Sequence, residues 1–351
     1  MFLKVLVASL ILAIITPVLG ADNEAEIEEK VLVYNWSDYM PDGLLDEFTR
    51  ETGIKVEYST YDNNEILYAR LKLLKGRGYD VLVPSTPLVA RMRDEGLLQP
   101  LDHNQLPHFK DLDPTLLNKP YDPDNEYSVP YLWGTTGIGF DATKVDASKI
   151  TKWSDLWSRE WRGKLLLTDD MREIFHMALK VNGNSTNTTD PEEIKQAYEK
   201  LKKLMPNIKL VSVSPSDDLE SGKADIGMMW NGEVVTAQDK NPKAHYQYIY
   251  PEEGAGFWVD SFVIPARAPN VENAHKFIDY MLRPDVAARC VKEIGYATAS
   301  LEAKKLLDAS VRNNPIIFPP PEVLSTAEFK QDVGKAQDLY LLYWDKLKVA
   351  E

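Results

Sequence analysis

Between residues 31 and 84 the apolar positions switch repeatedly between a strand period and a helix period. Val31-Leu32-Val33-Tyr34 is a continuous apolar run and predicts a buried strand. Leu44, Leu45 and Phe48 then fall on one face of a helix that Asp42 can cap and Gly53 can end. A second strand is predicted at Ile54-Lys55-Val56-Glu57-Tyr58. Residues 65–74, apolar at helical spacing, then run through Gly76 and Gly78 into Asp80-Val81-Leu82-Val83-Pro84. This alternation predicts a mainly parallel sheet flanked by helices.

The middle of the chain repeats that logic. Trp153-Ser154-Asp155-Leu156-Trp157 opens a predicted helix, Gly163-Lys164-Leu165-Leu166-Leu167-Thr168 reads as a strand and residues 191–204 as a long charged helix. A second α/β domain is expected, since a mature chain of roughly 330 residues exceeds one typical core. No low-complexity linker separates the two, which predicts joining by crossing strands rather than a tether. Pro130-Tyr131-Leu132-Trp133-Gly134 and Phe257-Trp258-Val259-Asp260-Ser261 are the candidate crossings, and ligands favour such interdomain clefts.

Residues 1–20 have a different character. Lys4 precedes an apolar run over residues 5–15, interrupted only by Ser9, and Thr16-Pro17-Val18-Leu19-Gly20 leads into acidic Ala21-Asp22-Asn23-Glu24. This order reads as a secretory signal peptide. The run is too short for a membrane span, which needs about 20 apolar residues, so a soluble exported protein is expected. Cys290 is the single cysteine, which excludes an intramolecular disulfide and a cysteine-rich metal site, and leaves no thiol near the leader for a lipid. Export without disulfides suits a large bacterial periplasmic protein. With Lys4 removed, 39 basic side chains (40 − 1) face 54 acidic ones, a balance of −15 that disfavours nucleic acid and favours a cationic solute.

Catalytic groupings are missing. His103, His108, His176, His245 and His275 are scattered, with no metal-binding spacing, and no cofactor motif is present. Gly134-Thr135-Thr136-Gly137-Ile138-Gly139 lacks the phosphate-cradle spacing and reads as a tight turn into a strand. Cys290 reads as a packed, inert thiol.

Aromatic residues instead recur beside carboxylates near strand ends: Trp36-Ser37-Asp38-Tyr39, Asp169-Asp170 with Glu173, Trp230 with Glu233, and Trp258 with Asp260. Carboxylates supply charge-assisted hydrogen bonds to ammonium donors, and Trp and Tyr faces offer cation–π attraction and cover methylene groups. In a desolvated cleft a cation–π contact reaches about 2 kcal/mol, against about 0.5 to 1 when exposed. Each element also has a plainer reading: Trp36 and Trp258 as core aromatics, Asp38, Asp169 or Asp170 as helix caps, Glu233 on a solvated helix face.

Five ordered motifs carry a resemblance. Tyr34-Asn35-Trp36-Ser37-Asp38-Tyr39, Asp80-Val81-Leu82-Val83-Pro84-Ser85-Thr86, Leu165-Leu166-Leu167-Thr168-Asp169-Asp170, Trp230-Asn231-Gly232 and Phe257-Trp258-Val259-Asp260-Ser261 resemble the spermidine/putrescine-binding periplasmic proteins. The resemblance implies an α/β fold of periplasmic binding protein type II. The two lobes are expected over residues 30–134 with 260–304 and over 135–259 with 305–351. It further implies a monomer that is no enzyme, needs no cofactor and delivers polyamine to an ATP-driven inner-membrane permease. Carried over by motif, the ligand contacts fall on Trp36, Ser37, Asp38, Tyr39, Ser85, Asp170, Glu173, Trp230, Trp258, Asp260 and Tyr296. Ser85 and Tyr296 emerge only from the resemblance.

Three departures bear on ligand length. Pro87 stands where spermidine-preferring members carry tyrosine, Lys330 where they carry glutamine and putrescine-restricted members lysine, and Glu233 matches an acid of the putrescine pattern. Asp170 and Trp258 follow the spermidine pattern. A fixed ammonium at Lys330 repels the far amine of a longer ligand, so putrescine is expected to bind at least as well as spermidine. A binding protein for another organic cation, and an exported enzyme using Cys290, are the alternatives.

Overall fold

The computed structural model describes residues 29–349; the expected signal peptide, residues 1–20, lies outside the described residues. Strands β1 (Lys30–Trp36), β2 (Lys55–Tyr61) and β3 (Val81–Leu82) pair in parallel in the order β2-β1-β3. The long strand β4 (Val129–Asp141) follows, then β5 (Leu165–Thr168), β6 (Ile208–Ser212), β7 (Ile226–Trp230), β8 (Tyr246–Ile249), β9 (Gly256–Phe262) and the short β10 (Ala297–Thr298) and β11 (Glu328–Phe329).

Strands β4 and β9 are the expected crossings, and they cross together. They pair antiparallel from Val129↔Phe262 to Thr136↔Gly256, after which β4 continues alone into the second lobe and pairs with β7 and β8. At the other end β9 meets the first sheet through bridges at Leu82↔Val263 and Ser85↔Asp260. Each lobe has its own core. One is built around Val31, Phe48, Val81, Phe262 and Phe277, the other around Phe140, Trp153, Phe175, Ile226 and Tyr340. The parallel sheet holds for β1–β3 and for β5, β6 and β7, whereas β4 runs against its neighbours, so the second sheet is mixed.

Three local expectations are corrected. Asp42 caps nothing: Gly43, at φ +74°, precedes the helix Leu44–Thr52. Trp153–Trp157 is a short 3-10 helix that stops where Ser158 turns extended (φ −61°, ψ 142°); the Trp153 N–H donates to Glu253 (2.7 Å) and its indole N–H to the Gly254 carbonyl (2.9 Å). Gly134 to Gly139 form no turn but the straight middle of β4, where missing side chains admit close neighbours: a Cβ on Gly134 would lie 2.6 Å from the Trp258 ring. The expected hand-over at 304/305 lies within the helix Leu301–Leu306, where Ala303, Leu307, Ile317 and Phe318 pack on Ala287 and Val291 of the Pro284–Ile294 helix.

Gly227 on β7 shows how tightly the second sheet is built, since a Cβ there would stand 2.1 Å from the Leu166 carbonyl oxygen. Gly227→Ala should lower stability by about 1–3 kcal/mol, read as a lower urea midpoint at unchanged slope. An unchanged midpoint contradicts this packing.

Candidate functional site

A cavity of about 650 Å³ lies between the lobes, and all thirteen candidate residues line it. Four follow β1. Trp36 is pinned by its indole N–H, which donates to the Val83 carbonyl (2.8 Å), and its ring lies 4.7 Å from Tyr61. Ser37 donates to Asp62 (2.7 Å). Asp38 takes the left-handed backbone (φ +56°), which halts the strand and leaves its carboxylate exposed at the cavity; it caps no helix. Tyr39 then turns inward.

Asp260, on the crossing strand β9, is the centre of the site. Its two oxygens accept the Ser85 hydroxyl (2.6 Å) and the Tyr39 hydroxyl (2.9 Å), so the ends of β1 and β3 are both tied to the strand that joins the lobes. Trp258 precedes it by two residues on the same face, 5.1 Å from the Tyr296 ring, and Tyr296 lies 5.5 Å from Tyr39. The Trp258 indole N–H is buried with no hydrogen-bond partner among the described residues.

The second lobe supplies the remaining acids. Asp170 caps the helix Met171–Val181 by accepting the Glu173 N–H (3.0 Å), so the capping reading and the cavity reading are both true of it. Its neighbour Asp169 is not on the cavity and faces Lys348 (3.3 Å). Glu173 and Lys330 form an ion pair with both side chains at 5% exposure or less. Glu233 opens the helix Asn231–Lys240 and is not on a solvated face: it accepts the Ser216 N–H (2.8 Å) and, across the lobes, the Tyr296 hydroxyl (3.3 Å). Gly232 permits that contact, because a Cβ there would lie 2.3 Å from the Tyr296 ring. Trp230 ends β7 at the cavity and Pro87 lines it without a hydroxyl.

Residues 43–319 match the model of a family described as bacterial extracellular solute-binding protein. The chain belongs to that family. It is 48% identical over 325 residues to the spermidine/putrescine-binding periplasmic protein of Escherichia coli (strain K12), covering 92% of this chain and 93% of that one. It is 36% identical over 341 residues to a putrescine-binding periplasmic protein of the same organism, covering 92% and 90%. The solved structure titled putative spermidine/putrescine ABC transporter from Listeria monocytogenes superposes with a TM-score of 0.88 at 33% identity, covering 92% of this chain and all of that one. The fold is therefore the two-lobed periplasmic binding protein type II.

In this cleft the electrostatics are dominated by buried acids. Burial pushes the Asp260 carboxyl up to about 7, against the pull of its Ser85 and Tyr39 hydrogen bonds and of Lys330. Asp170 is raised by burial and by Glu173, with Lys330 opposing, and Glu233 by burial. Glu65 escaped the sequence reading although it too opens a helix just beyond a strand end. It is raised to about 7 by burial and Asp170, and it accepts a hydrogen bond from Gln337 of the other lobe (3.4 Å). Burial is the main cause in each case, and repulsion between carboxylates adds to it at Asp170 and Glu65.

The cysteine and histidines stay outside this chemistry. Cys290 is buried, receives the Tyr131 hydroxyl (3.3 Å) and has its thiol pushed up to about 12 by burial, so it lacks the thiolate a nucleophile needs. His176 is buried and His275 receives the Asp102 N–H. Among the described residues no cluster of His, Cys, Asp and Glu could hold a metal ion, and no helix is long and apolar enough to cross a membrane.

The raised Asp260 carboxyl has a pH signature. An acid at about 4 when unfolded and about 7 when folded adds stability below pH 4 that is lost as pH rises through 7. The melting temperature of unliganded Asp260→Asn should therefore gain on wild type between about pH 5 and pH 8. A difference constant over that range contradicts the assignment.

Proposed function

We propose that this chain is the periplasmic binding subunit of an ABC importer, capturing a polyamine between its lobes and presenting it to a membrane permease. The reading places the chain in the periplasm as an exported, unlipidated monomer without catalytic activity. The observation that carries it is the cleft itself, where Trp36, Tyr39, Trp230, Trp258 and Tyr296 share one cavity with the carboxylates of Asp38, Asp170, Glu173, Glu233 and Asp260. An ammonium on an alkyl chain uses both kinds of wall: the acids take its N–H donors, and the rings cover its methylenes and face its charge. A sugar would leave this negative charge uncompensated, and an anion would add to it. Names of the relatives at 48% and 36% identity include putrescine in both cases.

Ligand length turns on Lys330. Its ammonium sits on Glu173, with Lys330 only 4% exposed, so one carboxylate of the acidic set is already neutralised from within. A diamine uses Asp260 at the centre and the Asp38 and Glu233 region beyond it, without needing Glu173. A triamine brings a further ammonium toward a carboxylate that Lys330 holds. Pro87 offers that longer ligand neither hydroxyl nor ring.

Titration calorimetry should give putrescine an affinity at least equal to that for spermidine. Lys330→Gln should shift the ratio toward spermidine by about tenfold, the effect of one relieved like-charge contact of ~1.4 kcal/mol. Strong preference for spermidine in wild type would sink the length assignment, and failure to bind any polyamine would sink the function.

A further inference from the structure

Lys330 lies on a short segment whose two flanking peptides are held by one side chain. The Asn187 amide nitrogen donates to the Phe329 carbonyl (2.8 Å), and its amide oxygen accepts the Gln331 N–H (2.8 Å). The residue between those two bonds is Lys330. Asn187 therefore closes a two-point clamp over the backbone that aims the lysine at Glu173.

The clamp is itself braced. Glu328 accepts the Thr186 N–H (2.9 Å) and pairs with Lys180 (3.2 Å), while Arg172 donates to the Thr186 carbonyl (3.1 Å) from one end of its guanidinium and to the Gln331 carbonyl (3.4 Å) from the other. On the far side Phe329 stacks parallel and offset on Tyr121 of the first lobe, ring centres 5.8 Å apart and planes within 9°. A lysine carries about 2 kcal/mol of rotamer entropy and reaches many positions when its backbone is loose. Fixing peptides 329 and 331 leaves Glu173 as the place its ammonium goes.

We infer that Asn187 is a positioning residue for ligand-length selection: by clamping Phe329 and Gln331 it keeps the Lys330 ammonium on Glu173 and so withholds that carboxylate from the extra amine of a longer ligand. The inference rests on the polyamine reading and on the length role given to Lys330. Asn187 is absent from the cavity lining, so its effect on binding passes through Lys330.

The test is a double-mutant comparison with putrescine and spermidine as probes, titrated into wild type, Asn187→Ala, Lys330→Gln and the double variant. Asn187→Ala should move the ratio of the two dissociation constants toward spermidine by about three- to tenfold, in the direction of Lys330→Gln and short of it or equal to it. In the Lys330→Gln background the same substitution should leave the ratio unchanged. A purely structural role weakens both ligands together and leaves the ratio where it was, which would overturn the inference; so would a ratio that still moves when Lys330 is gone. If Asn187→Ala does not fold, Asn187→Ser, too short to bridge both peptides, is read in the same way. A Lys330→Gln variant with an unaltered ratio overturns the underlying length assignment instead, and the two failures are thereby distinguished.

Discussion

The cleft is governed by the cost of confining negative charge between two apolar cores. Asp260 is fully enclosed and Asp170, Glu173 and Glu233 line the same space, yet Lys330 is the only lysine ammonium paired to any of these four among the described residues. Such groups are expensive to bury without partners, and the raised carboxyls of Asp260, Asp170 and Glu233 are the direct expression of that cost. The hydroxyls of Ser85, Tyr39 and Tyr296 offset part of it with hydrogen bonds. The remainder is available to a cation that brings its charge into a water-poor space, where that charge counts for more than at a surface.

Architecture delivers these acids to one place. Strand ends converge on the cleft: Trp36 to Tyr39 leave β1, Ser85 leaves β3, Asp170 follows β5 and Trp230 ends β7, while Trp258 and Asp260 ride on β9 as it crosses. Because β9 pairs with β4 in one lobe and reaches β3 through the Ser85–Asp260 bridge, the central carboxylate belongs to the junction rather than to either half. Contacts such as Tyr296 with Glu233 and Gln337 with Glu65 exist only when the lobes meet. A ligand touching both walls favours that arrangement by its differential affinity for it.

Specificity has a different physical source from affinity. On the proposed reading the carboxylates attract any amine, and which amine is set by what already occupies them. Lys330 is a cationic group of the protein placed where a ligand cation could sit, and its reach is limited by the clamp that holds its backbone. A glutamine in that place would hydrogen-bond without carrying charge. On that proposal one side chain alters ligand length while the aromatic walls and the central acid stay as they are.

Much of this was legible in the chain. Period changes marked β1, β2 and β3, the aromatic-rich stretches marked both crossing strands, and the carboxylate and tryptophan pairs at strand ends fall on the cavity lining, because strand ends in α/β sheets are where side chains project into clefts. What the chain could not settle were choices made by distant neighbours. Gly134, Gly137 and Gly139 look like a turn until Trp258, Tyr248 and Met229 are packed over them as a strand, and the short 3-10 helix at Trp153 is pinned at its first N–H by Glu253, a hundred residues on. Glu233 is open between a surface acid and a cleft acid until Tyr296 meets it across the cleft. Residue types and local periods determined the elements and the chemistry on offer. Only the tertiary fold decided which acids are buried together, which of them Lys330 neutralises, and which remain for a ligand, since desolvation and charge pairing depend on separations in space that no local pattern contains.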